Sequence, residues 1–204
     1  MSDKKIKSFD DYLNFLKKSD VILDFESRKK KILDEIKKIE KKEKVYVNSD
    51  IDLINHVSNL TEHPRVLMGS FDKSFLKIPK EVINSIMKNH QKYFSVYSTS
   101  KMSSLVSKFI FVAGSPYLDN NKVVKGNEKV LAARLNDGKF FYEEDIKSGL
   151  EKIRDKIDHI TFIEGIGSYG DKARRVGKLA LKIRDMLGLN IDVDDIIKTS
   201  ELCK

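Results

Sequence analysis

Apolar residues recur every three or four positions along much of the chain, which is the spacing of one face of an α-helix. In the segment 26–44, Ile32, Leu33, Ile36 and Ile39 form such a stripe among lysines and glutamates. Pro79 is suited to the first turn of a further helix. The pattern predicts helices over residues 9–18, 26–44, 50–60, 80–89, 121–145, 148–157, 171–187 and 191–203.

Shorter apolar runs interrupt this helical pattern in the middle of the chain. Residues 93–97 alternate Tyr, Phe, Ser, Val and Tyr, which is typical of a strand. The runs 65–71 and 109–113 predict partner strands, 160–163 predicts another short strand, and the Ser-rich stretch 98–107 has the composition of a hairpin loop. The expected fold class is α+β, a small antiparallel sheet packed with helices, followed by the start of a helical module.

The change from helical to strand-like patterning predicts three parts. They are an N-terminal helical segment 1–62, an α+β module 63–164 and the start of a truncated helical module 165–204. The second boundary is placed at the Gly-rich stretch 165–170.

Amino-acid composition limits the kinds of partner and the cellular compartment that are expected. The 204 residues carry 39 Lys and Arg against 31 Asp and Glu, and this net charge of +8 favours a polyanionic partner without distinguishing RNA, DNA or membrane. The single cysteine, Cys203, excludes an internal disulfide and is typical of a reducing compartment. The chain has no apolar run of membrane-spanning length and no signal-peptide pattern. We therefore expect a cytoplasmic protein with no membrane partner.

Polar side chains lie within the apolar stripe of the helix predicted around Leu131. On a helix, Arg134 and Asp145 share that face, so the pattern favours a buried structural ion pair between Arg134 and either Asp145 or Glu128. The alternative is an Arg134 side chain that faces RNA.

A mixture of cations and aromatic rings occurs where the helix 80–89 leads into the strand 93–97. Lys88 and Lys92 could bind phosphates, while His90 and Tyr93 could stack on unpaired bases. The alternative is that Tyr93 is an ordinary strand residue and the lysines are solvated. His90 has no cysteine or second histidine at ligand spacing, so no metal site is expected.

Two other basic segments could meet a phosphate. Lys172 and Arg174 fall in the first turn of the helix 171–187, where exposed backbone N–H groups favour anions. The alternative is that Asp171 caps this helix and pairs with Arg175. The lysines of helix 26–44 could also touch phosphates, but their interleaving with glutamates favours a solvated amphipathic helix.

The stretch 165–170 reads Gly-x-Gly-x-x-Gly between an apolar run and a helix, as in dinucleotide-binding proteins. Asp192 or Asp194 lies at a suitable distance for a ribose partner. No further strands are expected after this point to build a doubly wound sheet, however, and the preceding region lacks the α/β alternation of such a sheet. A glycine-permitted turn is the favoured interpretation.

Several motifs, in order, resemble the β subunit of the tetrameric bacterial glycyl-tRNA synthetase, over residues 9–204. The resemblance is carried by Met87-Lys-x-His-Gln-Lys-Tyr-Phe94, Phe109-Ile-Phe-Val-Ala113, Gly126-Asn-Glu-Lys-Val-Leu-x-Ala-Arg-Leu-x-Asp137, Phe140-Phe-Tyr-x-x-Asp145 and Gly167-Ser-x-x-Asp-Lys-x-x-Arg175. The chain departs from the family at Gly114-Ser-Pro116, at Gly138 and at Gly170, where a larger residue is usual in the last two cases. Each departure is expected to add local flexibility.

The resemblance implies a part of an ATP-dependent ligase that attaches glycine to its tRNA. In that family the α subunit holds the glycine and ATP site, so ATP and magnesium are expected there and no cofactor in this chain. The implied partners are the α subunit, tRNA for glycine and the rest of β. The chain resembles an internal stretch of β that ends at the start of an HD-like helical module, and we expect it to be inactive alone. A purely architectural bridge between β modules and the α subunit is the alternative.

Overall fold

The computed structural model describes residues 5–117 and 119–203, except that only the backbone of Ile153 is described. The chain forms two compact units that divide between Lys139 and Phe140. Within the described residues, no helix is both long enough and apolar enough to cross a membrane.

Three α-helices of the first unit begin at side-chain caps that the sequence supplies. They are α1 (Phe9–Lys18), α2 (Phe25–Glu43) and α3 (Ile51–Leu60). A further helix, α4 (Lys80–Ser85), follows Pro79 without a side-chain cap and continues as a π-helical turn over Ile86–Gln91. Ser8, Asp24 and Asp50 each accept a hydrogen bond from a backbone N–H of the first turn. These short polar side chains satisfy N–H groups that have no partner within the helix, and so they fix where each helix starts.

The long segment α5 (Asn120–Arg154) begins in the first unit and ends in the second. It is interrupted at Gly149, whose backbone angles of 72° and 156° are open to glycine alone. The sequence predicts a break between residues 145 and 148, so the break is confirmed to within a few residues.

The four strands of the first unit form one antiparallel sheet in the order β1-β3-β4-β2. They are β1 (Tyr46–Val47), β2 (Arg65–Ser70), β3 (Phe94–Tyr97) and β4 (Leu105–Ala113). The predicted strands and the α+β class are confirmed, although β4 begins at Leu105, so the end of the predicted loop 98–107 belongs to the strand. The two-residue edge strand β1 was not predicted, because so short a run carries no periodicity.

One face of this sheet packs on α2 and α3 to form the main core. Ile32 and Ile36 of α2 are buried together with Ile54 of α3, Val66 of β2 and Ile110 of β4. The predicted boundary between residues 62 and 63 is therefore wrong, because the N-terminal helices and the sheet share one core.

The other face of the sheet lies under the first half of α5. Leu131 and Leu135 of α5 are fully buried, and Glu128 accepts hydrogen bonds from the backbone and the hydroxyl of Ser70. Because helices cover both faces, every residue of β3 is buried, including Tyr97. The alternation of Tyr, Phe, Ser, Val and Tyr in the sequence therefore separates two buried faces and does not mark a solvent side.

Besides the end of α5, the described part of the second unit contains a 3₁₀ helix over Ile157–His159, a hairpin and two α-helices. β5 (Thr161–Ile163) pairs antiparallel with β6 (Gly167–Ser168), and α6 (Tyr169–Met186) and α7 (Val193–Leu202) follow. The predicted boundary between residues 164 and 165 falls inside the hairpin loop, so that boundary is also wrong.

Helix α6 packs through its small residues. Gly170, Ala173 and Gly177 are its buried positions, and an ideal Cβ on Gly177 would lie 2.6 Å from the Ser200 hydroxyl oxygen of α7. The large apolar side chains that the sequence places on one face stay accessible, with Leu179 at 59% exposed and its neighbours along the stripe also exposed. Close approach of two helices requires the small face, so the large-residue stripe is left as surface within this unit.

Two glycines that depart from the family pattern lie at close contacts. A Cβ atom on Gly138 would collide with Cδ1 of Ile86, and one on Gly170 would collide with Oδ1 of Asp158. Both positions are helical and neither has a positive φ. The expectation of added flexibility is therefore not the main effect, since in both places glycine makes room for a neighbouring side chain.

Candidate nucleic-acid interface

The first candidate segment is the turn that joins α4 to β3. Its π-helical geometry over Ile86–Gln91 ends at Lys92, which adopts a left-handed backbone conformation with φ of 60°. The N–H group of Tyr93 donates to the carbonyl oxygen of Met87 at 2.9 Å and closes the turn. π-Helical turns recur at functional sites because they change the direction in which side chains project. Here the turn leaves Lys88 and His90 exposed.

Lys88 is paired within the unit. Its Nζ lies 2.5 Å from Oδ2 of Asp50, whose other oxygen accepts the N–H of Leu53 and caps α3. The hydrogen bond to Asp50 raises the pKa of the Lys88 ammonium, and the same bond holds the pKa of the Asp50 carboxyl below its ordinary value. The predicted phosphate-binding cation is thus partly neutralised by an internal carboxylate.

Tyr93 cannot stack on a base in this conformation. It is 6% exposed, its ring stacks on Phe109 with centroids 4.8 Å apart, and its hydroxyl donates to Oδ1 of Asn127 at 2.5 Å. Burial raises its pKa from 10.0 to about 12. The proposal that Tyr93 contacts RNA is therefore wrong for this structure, and the alternative of an ordinary sheet residue is the one observed.

His90 and Lys92 remain accessible on this turn. His90 is exposed, and no group of three or more potential metal ligands occurs among the described residues. Lys92 is half-buried, and its Nζ donates to the carbonyl oxygen of Asn89 at 2.9 Å. A carbonyl partner does not neutralise the ammonium, so the charge of Lys92 is available to an anion.

The second candidate segment is the first turn of α6. Ser168 and Asp171 form a capping box, in which each side chain accepts a hydrogen bond from the backbone N–H of the other residue. Arg174 donates to Oδ1 of Asp171 and to Oδ1 of Asp158, both at 2.8 Å. The contact from Arg174 and the bonds from Ser168, with the Arg174 contact the largest, lower the pKa of Asp171 to about 2.

The sequence alternative for this turn holds only in part, because Asp171 belongs to the capping box as its third helical residue while Ser168 is the N-cap residue, and the expected ion pair is wrong. Asp171 pairs with Arg174, whereas Arg175 donates to the carbonyl oxygen of Ile166. Lys172 lies with its Nζ 4.0 Å from the centroid of the Phe162 ring, a cation–π contact. Two carboxylates, from Asp158 and Asp171, thus occupy the start of α6 where a phosphate would otherwise bind.

The glycine-rich stretch is a hairpin turn. Gly165 and Gly167 have φ angles of 80° and 106°; Gly165 lies in the loop between the antiparallel strands β5 and β6, and Gly167 begins β6. A dinucleotide fold needs a strand, a glycine turn and a helix that returns to a parallel strand. Within the described residues β5 pairs only with the two-residue β6, and the Asp158 carboxylate packs against Gly170. The geometry is that of the favoured structural turn.

The predicted buried ion pair is also wrong. The Arg134 side chain is 56% exposed, and its Nη1 lies 3.9 Å from the exposed carboxylate of Asp137, one helical turn away. Asp145 is exposed as well. The polar face of α5 that was predicted to be buried is therefore a surface.

Sequence reasoning missed the two carboxylates that neutralise the candidate cations. Asp50 carries a visible signal, since an aspartate before an apolar helix predicts a cap, but its contact with Lys88 joins positions 38 residues apart. Asp158 pairs with Arg174 across the hairpin β5–β6. No local pattern marks either contact.

Comparison with known proteins relates the whole chain to one family. The family sequence model described as "Glycyl-tRNA synthetase beta subunit" matches residues 1–204. Among curated relatives, the chain is 38% identical to the glycine–tRNA ligase beta subunit of Listeria welshimeri over 98% of the chain and 29% of the relative. It is 41% identical to that of Streptococcus suis over 100% of the chain and 30% of the relative.

The match is continuous, and it covers a limited part of each relative. The chain is also 43% identical to the glycine–tRNA ligase beta subunit of Streptococcus uberis, over 91% of the chain and 27% of the relative. It therefore spans about 30% of the length of the curated relatives that it matches. With the family match extending over all 204 residues, the chain belongs to the glycyl-tRNA synthetase beta-subunit family.

Proposed function

We propose that the chain is a part of the β subunit of a glycine–tRNA ligase and supports tRNA binding and subunit assembly there. In this proposal the binding sites for ATP, magnesium and glycine are on an α subunit, and none of them is on this chain. The observation that carries the proposal is the match over the whole chain to relatives named as glycine–tRNA ligase beta subunits. The net charge of +8 and the accessible cation of Lys92 are consistent with a tRNA-facing surface.

A purely architectural bridge is the second candidate. Lys88 and Arg174 are the cations best placed at element ends, and both are paired with carboxylates of their own unit. The large apolar side chains of α6 are exposed, as they would be on a surface that other β modules or an α subunit cover.

A chimaera tests the proposal. The segment of the Streptococcus suis beta subunit that matches this chain would be replaced by residues 1–204 and purified with the α subunit of that organism. We expect glycine charging of tRNA well above a control in which the segment is deleted. A folded chimaera that binds the α subunit but charges no better than the deletion would contradict the proposal. The chain alone is expected to give no glycine-dependent pyrophosphate exchange.

A salt titration of tRNA affinity separates the two candidates. Lys88→Glu is unsuitable, because it would place another carboxylate beside Asp50 at the start of α3. Lys92→Gly is a cleaner change, since glycine accepts the left-handed conformation of this residue. If Lys92 meets a phosphate, the slope of log affinity against log salt should fall by roughly 0.7 to 0.9 in the chimaera. An unchanged slope in Lys92→Gly combined with His90→Ala, with charging intact, would favour the bridge.

A further inference from the structure

A groove lies beside the edge strand of the first unit, and its described lining includes no residue of the turn that carries His90. Its volume is about 510 Å³, within the range of ligand clefts. It is lined by Lys37, Glu40, Lys41, Lys44, Val45, Tyr46 and Ser98. These residues come from the end of α2, from β1 and from the start of the loop between β3 and β4.

The groove is positively charged. Lys37 and Lys41 follow the i, i+4 spacing that places side chains on one face of a helix, and both are exposed, while Lys44 directly follows the helix. Within the part of the chain that the structure describes, none of the three pairs with a carboxylate, unlike Lys31, which pairs with Glu35. Like charges at this spacing repel one another, so an anion in the groove would relieve the repulsion.

The one acid among the described residues that line the groove is already engaged. Oε1 of Glu40 accepts the backbone N–H of Val47 at 2.8 Å. This contact satisfies an N–H group of the edge strand and holds the carboxylate against the sheet. Three ammonium groups against one carboxylate leave the groove with an excess of two positive charges.

Lys44 has an unusual backbone for a lysine. It ends α2 in the left-handed conformation, with φ of 53° and ψ of 50°, a position where glycine is the common residue. A side chain here makes the helix end less favourable than glycine would. The position therefore offers a substitution that removes the ammonium without disturbing the fold.

Tyr46 supplies an aromatic surface beside these cations. It is 44% exposed, although it belongs to a strand and pairs with the buried Tyr97. Single-stranded nucleic acids are bound by this combination, in which cations follow the phosphates and an aromatic ring stacks on a base. A base within a duplex is already stacked and cannot use such a ring.

We propose that this groove is a binding site for a single-stranded RNA segment. Lys37, Lys41 and Lys44 contact successive phosphates, and one base stacks on Tyr46. The site is separate from the residues discussed for tRNA above. It rests on the proposed function and deepens it by naming a second RNA-contacting surface, and it can be tested without an α subunit.

The test measures binding of a fluorescent single-stranded RNA of about 12 nucleotides to the whole chain by anisotropy. With three phosphate contacts at about 0.7 each, the slope of log affinity against log salt should be near −2 between about 50 and 200 mM salt. Lys37→Gln with Lys41→Gln should reduce the slope by about 1.4. The matched control is Lys38→Gln with Lys42→Gln, which changes the same charge on the same helix outside the groove.

Three further variants control for misfolding and distinguish base stacking from charge attraction. Lys44→Gly should keep or raise the unfolding temperature and reduce the slope by about 0.7. Tyr46→Leu should weaken binding of the single strand about 5- to 150-fold, whereas Tyr46→Phe should bind like the original chain. A 2-aminopurine base in the RNA should be quenched on binding to the chain with Tyr46 and not to Tyr46→Leu.

Three results would overturn the proposal. The first is no saturable binding of the single strand at low salt. The second is that the groove pair and the control pair of substitutions weaken binding equally. The third is binding that does not change when Tyr46 is replaced and that duplex RNA or polyglutamate displaces equally well. The last would indicate attraction of any polyanion. Because the chimaera measures charging and this titration measures RNA binding by the chain, each proposal can fail without the other.

Discussion

Replacing Tyr93 by phenylalanine removes one hydroxyl group from the buried face between β3 and α5. The Tyr93 hydroxyl donates to Oδ1 of Asn127, while Nδ2 of Asn127 donates to the carbonyl oxygen of Val123 at 2.8 Å. The second bond fixes the amide, so Oδ1 would lose its donor in Tyr93→Phe. An unpaired buried acceptor costs about 1–3 kcal/mol, and the half-buried position of Asn127 favours the lower end, near 1 kcal/mol, at neutral pH.

The same hydroxyl makes stability depend on alkaline pH. The folded chain holds the Tyr93 pKa at about 12, above its ordinary value of 10.0, because burial disfavours the phenolate. The stabilisation is complete below pH 10.0 and is lost as the pH rises through about 12, because the unfolded chain ionises first. A difference of two pKa units corresponds to about 2.7 kcal/mol in full. At about pH 11 roughly half of this stability has been lost through ionisation of Tyr93 in the unfolded chain. That loss is larger than the contribution of about 1 kcal/mol from the hydrogen bond to Asn127.

We expect the order of stability of the two proteins to reverse as the pH rises. Tyr93→Phe should be the less stable protein at about pH 8 and the more stable one once the pH passes about 11, because only the tyrosine must be kept protonated to stay folded. Urea unfolding followed by circular dichroism across this range gives both free energies, and the other tyrosines and lysines cancel in the difference. A free-energy difference that stays constant with pH would refute the burial of the hydroxyl. Unchanged stability together with weaker RNA binding in Tyr93→Leu, which removes the ring, would restore the base-stacking role that the structure contradicts.

Three other changes test the structural assignments. Arg134→Ala should alter the free energy of unfolding by no more than about 0.5 kcal/mol in a urea titration, since its ion pair is exposed; a loss of about 3 kcal/mol or more would indicate the buried pair after all. Gly138→Ala should stabilise the chain by about 1 kcal/mol through helix propensity only when Ile86→Val removes the methyl group that its Cβ atom would meet. A double-mutant cycle should therefore show favourable coupling, and additive free energies would contradict the contact. Asp171→Asn should lower the unfolding temperature at neutral pH, and the difference from the original chain should disappear as the pH falls from 3.8 through about 2. A difference independent of pH would argue against the contacts that the Asp171 carboxylate makes with Arg174 and with Ser168.

Local features of the chain could be predicted because they depend on residues within about one helical turn of each other. The stripe of Ile32 and Ile36 predicts the buried face of α2, and the structure confirms it. Asp50 predicts the start of α3 because its side chain needs only the N–H groups that follow it. The family motifs are likewise runs of neighbouring residues, so the sequence alone was sufficient to indicate the family.

The partners of the candidate site residues depend on the path of the whole chain. Lys88 and Tyr93 belong to the same turn between α4 and β3, yet one pairs with Asp50 and the other binds Asn127. No residue within one helical turn of Lys88 or Tyr93 predicts these contacts. Whether a basic or aromatic residue faces solvent was therefore decided by the tertiary structure, and the sequence supplied only the chemical type.

The faces by which helices pack were decided in the same way. On α6 the sequence shows a clear stripe of large apolar residues, and the structure instead buries Gly170, Ala173 and Gly177. Periodicity predicts that a helix forms and that its residues sort onto faces. Which face becomes an interface depends on how near the next element can come, and that distance is set by side chains such as Ser200 of α7 and Asp158, which lie elsewhere in the chain.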